Sequence, residues 1–323
     1  MSYQPPFTIT TEIIDLISTV SEQVGFVQRD SLNASPKLRK ANRIKTITGT
    51  LQIEGSTLSE EQVSAVLDGK PVLASVRELA EVKGAIAAYD RLNELNPYQL
   101  DDLLEAHRLM MGDVLKQAGS FRSKPVGVYK GKEVVHVAPP AHKISGLMAE
   151  LLAWAKQSDA HPLIVSSVFH YEFEFIHPFI DGNGRMGRLW QTLMLTQWKP
   201  LFADMPLESV IKTHQQNYYQ ALGSADSSAD STVFIEFMLK SILQTLENAS
   251  VNALQNAPVN IEGMKTPDAI IALVQADASI TRQQMAEKIG KDIRTIGRAI
   301  RKLQDAGKLQ RIGSDKSGHW EVL

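Results

Sequence analysis

The chain has 323 residues, enough for two or three folding units, and 43 % of them are hydrophobic, so a sizeable core can form. Its formal net charge of −2 argues against a protein coated in nucleic acid. The absence of cysteine excludes disulfides and thiolate metal sites and suits a reducing cytoplasm.

The N-terminal MSYQPPFTITTEII has no basic segment followed by an apolar run, and no window approaches ~20 apolar residues, so neither a signal peptide nor a membrane span is expected. Ile13, Ile14, Ile17 and Val20 fall at helical spacing and predict an amphipathic helix over 9–28. A second helix, over 37–53, starts basic (Lys37, Arg39, Lys40, Arg43, Lys45) and stops at Gly55. Ser59-Glu60-Glu61-Gln62 then reads as the capped start of a third. Helical patterns follow at 75–95 and 98–112. From 119 to 140, Gly119, Pro125, Gly127 and Gly131 punctuate β-branched runs, and Val134-Val135-His136-Val137 precedes Pro139-Pro140, which predicts a hairpin flap. Helices are expected again at 142–156, 161–176, 188–198, 206–222 and 231–247.

Residues 248–266 are small, polar and Asn-rich and read as a linker. Beyond it come helices at 267–276, 281–289 and 293–306, then two strands about the turn Gly313–Gly318. Residues 264–323 hold 11 Lys+Arg against 7 Asp+Glu, or +4, which leaves −6 for the rest: a basic tail on an acidic body, suggesting two tasks. The expected fold is mostly α. Its expected divisions are an N-terminal helical region (1–70), a core (71–247), the linker (248–266) and a small C-terminal domain (267–323).

The densest chemistry lies in His177-Pro178-Phe179-Ile180-Asp181-Gly182-Asn183-Gly184-Arg185-Met186-Gly187-Arg188. Glycines let backbone N–H groups turn toward an anion. Two guanidiniums can grip phosphate oxygens, and a carboxylate four residues after the His can hold a hard cation. The His can move a proton near neutral pH. Together they point to a nucleotide polyphosphate, a divalent metal and a general base.

This stretch resembles the Fic signature His-Pro-Phe-x-(Asp/Glu)-Gly-Asn-Gly-Arg-x-x-Arg at every defined position. His170-Tyr171, Gly119-Ser120-Phe121-Arg122, Val137-Ala138-Pro139-Pro140 and Tyr218-Tyr219 look like further landmarks, so the resemblance covers roughly 10–245. It implies a helical Fic core with a β-hairpin flap that transfers AMP from ATP, with Mg²⁺, to a hydroxyl of target proteins and of the chain itself. By resemblance His177 is the general base and Asp181 the metal ligand. Gly182, Asn183, Gly184, Arg185, Met186, Gly187 and Arg188 line the phosphates, with Arg188 on the γ-phosphate. Tyr218, Tyr219 and Asp226 fall where the family encloses adenine, although Asp226 departs from the Asn of some relatives, and Tyr218 and Tyr219 read equally as core aromatics. The backbone of Val134, Val135, His136 and Val137 would pair with an extended target segment.

Thr50-x-x-x-Glu54-Gly55 resembles the family's inhibitory motif (Ser/Thr)-x-x-x-Glu-(Gly/Asn), of the kind placed N-terminal to the core. Glu54 would then pair with Arg188 and deny it to the γ-phosphate. Some relatives use the same Glu to remove AMP, an alternative left open here. Residues 266–323 look like a winged helix-turn-helix: Arg294, Arg298, Arg301 and Lys302 lie on the candidate recognition helix, and Lys316 near the wing tip. DNA and protein are both open as its partner, as is a homodimer. A nucleotide-sensing transcriptional regulator remains the alternative to an adenylyltransferase, and kinase-like transfer, seen in Doc relatives, a third reading that Gly184-Arg185 and Arg188 disfavour.

Overall fold

The computed structural model describes residues 3–31, 36–130, 133–256, 261–313 and 318–323. The chain divides into two compact units, Met1–Ala249 and Ser250–Leu323.

The first unit is helical. It begins with α1 (Thr11–Ser31), α2 (Pro36–Ile53), α3 (Glu60–Leu67), α4 (Val76–Asp90) and α5 (Leu100–Met111). Capping boxes start two of these: Ser59 with Gln62 on α3, and Ser75 with Glu78 on α4, each satisfying two otherwise unpaired N–H groups. An antiparallel hairpin follows, β1 (Gly127–Lys130) with β2 (Glu133–Val137), in register Gly127↔Val137 and Lys130↔Glu133. Gly131 lies outside the described residues. Then come α6 (Ile144–Gln157), α7 (Pro162–Ile176), α8 (Asn183–Trp198), α9 (Leu207–Thr213), α10 (Gln215–Ser228) and α11 (Thr232–Asn256).

Helices α7 and α8 pack together at the centre. Every residue from Leu163 to Phe173 is buried, as is every residue from Arg185 to Thr196. Helices apolar on all sides belong in an interior, and Gln191 of α8 joins the two through the buried His170 and Ser167 of α7. His170 donates from Nδ1 to Gln191 Oε1 at 2.6 Å and accepts at Nε2 from the Tyr218 hydroxyl at 3.1 Å. Burial pushes His170 down to about 3, which keeps it neutral in these roles.

Helix α2 is wedged rather than laid on the surface. Thr46 through Leu51 are all buried, and a Cβ on Gly49 would come within 2.7 Å of the Glu208 carbonyl carbon and the Ser209 nitrogen. Both are backbone atoms that cannot rotate aside. Gly49→Ala is therefore expected to push α2 off α9 and cost about 1–3 kcal/mol, typical of overpacking. A calorimetric melt should show a drop of several degrees, and an unchanged melting temperature would contradict the wedge.

Three elements differ from expectation. Helix α8 starts at Asn183, five residues early, because Gly182 (φ +87°) turns the chain sharply enough for the glycine loop itself to enter the helix. The stretch 206–222 divides at His214, whose N–H is shared between the Val210 and Ile211 carbonyls and whose backbone leaves helical geometry. Helix α11 continues to Asn256, into the Asn-rich stretch, since a helix anchored by buried Phe234, Ile235, Met238, Leu239 and Ile242 extends through residues of indifferent propensity.

The second unit is a small winged helix: α12 (Thr266–Ala276), α13 (Arg282–Ile289), α14 (Ile293–Asp305) and the antiparallel pair β3 (Leu309–Ile312) and β4 (His319–Val322). Thr281 caps α13 and Asp292 caps α14. Ile270, Leu273, Met285, Ile296, Ile300, Leu303 and Trp320 form its core. The Trp320 indole donates to the Ile280 carbonyl at 3.0 Å while Arg311 lies 4.8 Å above its ring, so this tryptophan is a buried core residue of the unit. Lys316 lies outside the described residues.

Candidate functional site

His177 ends α7 in the left-handed region (φ 50°, ψ 62°), a conformation that costs a non-glycine residue about 1–3 kcal/mol. Its N–H donates to the Phe173 carbonyl at 2.9 Å, and its own carbonyl accepts Arg122 Nε at 2.7 Å. The ring's Nδ1 lies 3.3 Å from the Glu174 carbonyl. A carbonyl only accepts, so in the neutral ring Nδ1 carries the hydrogen and Nε2 keeps the lone pair.

The loop after His177 is held from behind. His107 of α5 accepts the Gly119 N–H at Nδ1 (2.9 Å) and therefore donates from Nε2 to the Asp181 carbonyl (3.0 Å). Burial depresses His107 to about 4, keeping it in that neutral form, and its ring stacks on Phe179 at 3.6 Å. Asn183 bonds both the N–H and the carbonyl of Phe179, each at 2.9 Å. Its side chain is thus committed to the turn, and the α8 N-terminus opens on the loop with the positive end of its dipole.

Asp181 takes part in a closed ring of four charges. Its Oδ2 accepts Arg77 Nη2 at 3.0 Å and its Oδ1 accepts Arg185 Nη2 at 3.1 Å and the Gly182 N–H at 2.7 Å. Glu81 completes the ring, 3.1 Å from Arg77 Nε and 3.5 Å from Arg185 Nη1. A single carboxylate of this kind, with phosphate oxygens, matches how Mg²⁺ is commonly held. No cluster of three ligating side chains occurs among the described residues, so such a metal would need the nucleotide to complete its shell.

Arg188 is 1 % exposed and Glu54 lies on it, Oε1 to Nη2 at 2.7 Å. Thr50 accepts from Nε at its hydroxyl (3.0 Å) and from Nη2 at its carbonyl (3.1 Å). Burial works against the Arg188 charge, but Glu54 together with Tyr218 and Glu174 outweighs it, so the guanidinium is held above its ordinary range. Nη1 finds no acceptor among the described residues, so the guanidinium retains a donor for an anion. A Cβ on Gly184 would run into Glu54 Oε1, so this glycine is what lets the carboxylate in. Glu174 is close by, its carboxyl raised by burial to about 8, with Arg188 opposing the shift and Glu54 adding to it.

Glu54 is itself steadied from α9 and α10. Lys212 Nζ donates to the Gln52 carbonyl (3.0 Å), and the Ile53 carbonyl accepts Gln215 Nε2 (2.8 Å) and the Tyr219 hydroxyl (3.1 Å).

The fold thus brings His177, Asp181, Gly182, Gly184, Arg185, Arg188 and Glu54 to one place. Met186 is in the core. Gly187 leaves room for His170 and Glu174, which its Cβ would meet at 2.8 and 3.0 Å. Tyr218 is 1 % exposed and bonded inward, whereas Tyr219 is 48 % exposed. Asp226 is two turns further along α10, about 12 Å by helical rise. Val137 is exposed at the flap's end, and the side chains of Val134, Val135 and His136 lie outside the described ones. Sequence reasoning missed His107, Arg77, Glu81, Lys212 and Gln215, which reach the site from other elements, and treated Arg122 only as a landmark.

Residues 97–195 match the Fic/DOC family profile, and 269–310 that of the winged helix-turn-helix DNA-binding family. The chain is similar to a protein adenylyltransferase Fic of Aedes aegypti (31 % identical over 244 residues, 72 % of this chain and 45 % of that protein). It is also similar to one of Culex quinquefasciatus (32 % over 238 residues, 68 % and 45 %). The chain thus spans less than half the length of these relatives. The crystal structure of a Fic family protein from Desulfovibrio desulfuricans G20 is similar over 99 % of this chain and 98 % of that one, with a TM-score of 0.75 and 38 % identity.

Proposed function

Because the chain belongs to the Fic family, we propose that it is a protein adenylyltransferase, moving AMP from ATP to a hydroxyl of target proteins and of itself and restrained at rest by Glu54. The observation that carries this reading is the buried Arg188, with a donor to spare, bearing an internal carboxylate where a phosphate would go. His177, its hydrogen held on Nδ1, supports the assignment of the base.

In the proposed reaction the acceptor hydroxyl attacks the α-phosphorus. An O–P bond forms, the bond to the bridging oxygen breaks, and pyrophosphate leaves. His177 Nε2 takes the hydroxyl proton. The α8 N-terminus and Arg185 favour the charge gathering on the phosphate oxygens, and Arg188, once freed, orients the nucleotide for in-line attack. Mg²⁺, held by Asp181 and phosphate oxygens, would neutralise charge on the leaving group. We assign the catalytic core to 71–247, the restraint to 1–70 and a separate binding task to 267–323. An ATP-consuming reaction in a cysteine-free chain fits the cytoplasm. Among the described residues no helix is long and apolar enough to cross a membrane.

Incubating Glu54→Gly protein with ATP and Mg²⁺ and weighing it by mass spectrometry tests the reading. The expected result is a mass gain equal to AMP, with label incorporated from α-³²P and not γ-³²P ATP. Incorporation of γ label would instead indicate phosphate transfer.

A second task is favoured by one observation: Arg294, Arg298, Arg301 and Lys302 are all exposed on α14, in a unit matching a DNA-binding winged helix. Replacing Arg298 and Arg301 together by Ala should weaken duplex DNA binding about tenfold at ~0.1 M salt and lower the salt slope by about two, if both contact phosphates. An unaltered slope in a fluorescence titration would leave protein as the partner.

A further inference from the structure

Arg122 is 2 % exposed, yet among the described residues no carboxylate pairs with it, and burial alone pulls its pKa below the ordinary value. A buried, unpaired guanidinium is costly and persists only when its donors are well used. Here they are used on carbonyls. Nε donates to the His177 carbonyl at 2.7 Å, Nη1 to Lys124 at 2.9 Å, and Nη2 to Pro139 at 2.7 Å and Ile176 at 3.3 Å. Its backbone N–H donates to the Pro178 carbonyl at 2.9 Å.

Those acceptors belong to two structures. Lys124 and Pro139 are the two roots of the hairpin β1–β2, one on each side of it. Ile176, His177 and Pro178 are the end of α7 and the start of the motif loop. A planar fork with five N–H donors can span both, which an ammonium cannot. It also braces His177 in a left-handed conformation that the backbone would otherwise abandon.

We infer that Arg122 is a positioning residue that fixes the flap and the base in one register, so that a chain segment pairing with the hairpin meets His177 at a set distance. The inference rests on the proposed roles of His177 and the flap. The guanidinium touches neither the nucleotide nor the acceptor in this scheme. It acts through the backbone it holds.

The test compares Arg122→Met and Arg122→Lys, each in the Glu54→Gly chain, by amide hydrogen exchange of peptides covering 122–130 and 133–141, ATP affinity by calorimetry, and rate of self-incorporation of AMP. Arg122→Met should speed exchange at both flap roots at least tenfold and slow incorporation at least tenfold, while the ATP dissociation constant moves less than threefold. Arg122→Lys should fall between, because one ammonium reaches some of the carbonyls and not all. Unchanged exchange in either variant overturns the inference, and so does ATP affinity falling in step with the rate. If Arg122→Met does not fold, the Lys variant decides by the same readouts. Should the flap loosen as expected while the Glu54→Gly parent incorporates no AMP, the coupling stands and the adenylyltransferase reading falls.

Discussion

Glu54→Gly protein should incorporate AMP into itself at least tenfold faster than the wild-type chain, and should melt lower until ATP is added. Both effects come from Arg188. In the resting chain its Nη2 is shared between Glu54 and the Thr50 carbonyl, and its Nη1 has no acceptor among the described residues. Removing the carboxylate leaves a cation that is 1 % exposed with only neutral acceptors on Thr50. An uncompensated buried charge costs several kcal/mol, but the Glu54 side chain is 35 % exposed and its pairing is partly screened, so about 1–3 kcal/mol is expected. A polyphosphate that binds Arg188 restores the missing charge, and mass action returns the stability. A tenfold faster rate corresponds to about 1.4 kcal/mol of relieved restraint, well within that range. Radiolabel incorporation and a thermal shift with and without ATP measure the two effects. Equal labelling of both proteins would remove Glu54 as a restraint.

The same contacts limit how the restraint can be lifted. Gly49 locks α2 against the backbone of α9, and Lys212, Gln215 and Tyr219 hold its last two carbonyls. Moving the whole helix would break all of these and expose Ile47 and Leu51, both nearly fully buried. Loosening the turn at Glu54-Gly55, where Gly55 already has φ +92°, disturbs far less.

His177→Ala should reduce incorporation in the Glu54→Gly background by 10²–10⁴-fold, the usual contribution of a positioned general base, with ATP affinity within about threefold. The ring's Nδ1 lies on the Glu174 carbonyl, and the main chain of His177 bonds the Phe173 carbonyl and the Arg122 guanidinium. Alanine keeps those main-chain bonds, so a loss of rate reports the lost proton acceptor and not a collapsed loop. Undiminished labelling would mean that another group takes the hydroxyl proton. Calorimetric ATP titration separates that outcome from a binding defect.

What the sequence determined by itself was local. Most helix positions followed from apolar spacing, the capped start at Ser59 from its own residues, and the phosphate chemistry from twelve contiguous residues that need only a turn and one helix to converge. Tertiary structure decided what those residues do with their free valences. Asn183 bonds Phe179 rather than facing outward, Met186 and Tyr218 are interior, and Glu54, 134 residues away, occupies Arg188. Composition gave no sign of His107 or Arg122 as supports, because polar residues of these kinds are usually solvated and a periodic pattern reports which face is buried, not which distant backbone carbonyl waits there. Only the packing of α2, α5 and the flap root around α7 and α8 brings those carbonyls and charges within hydrogen-bond reach.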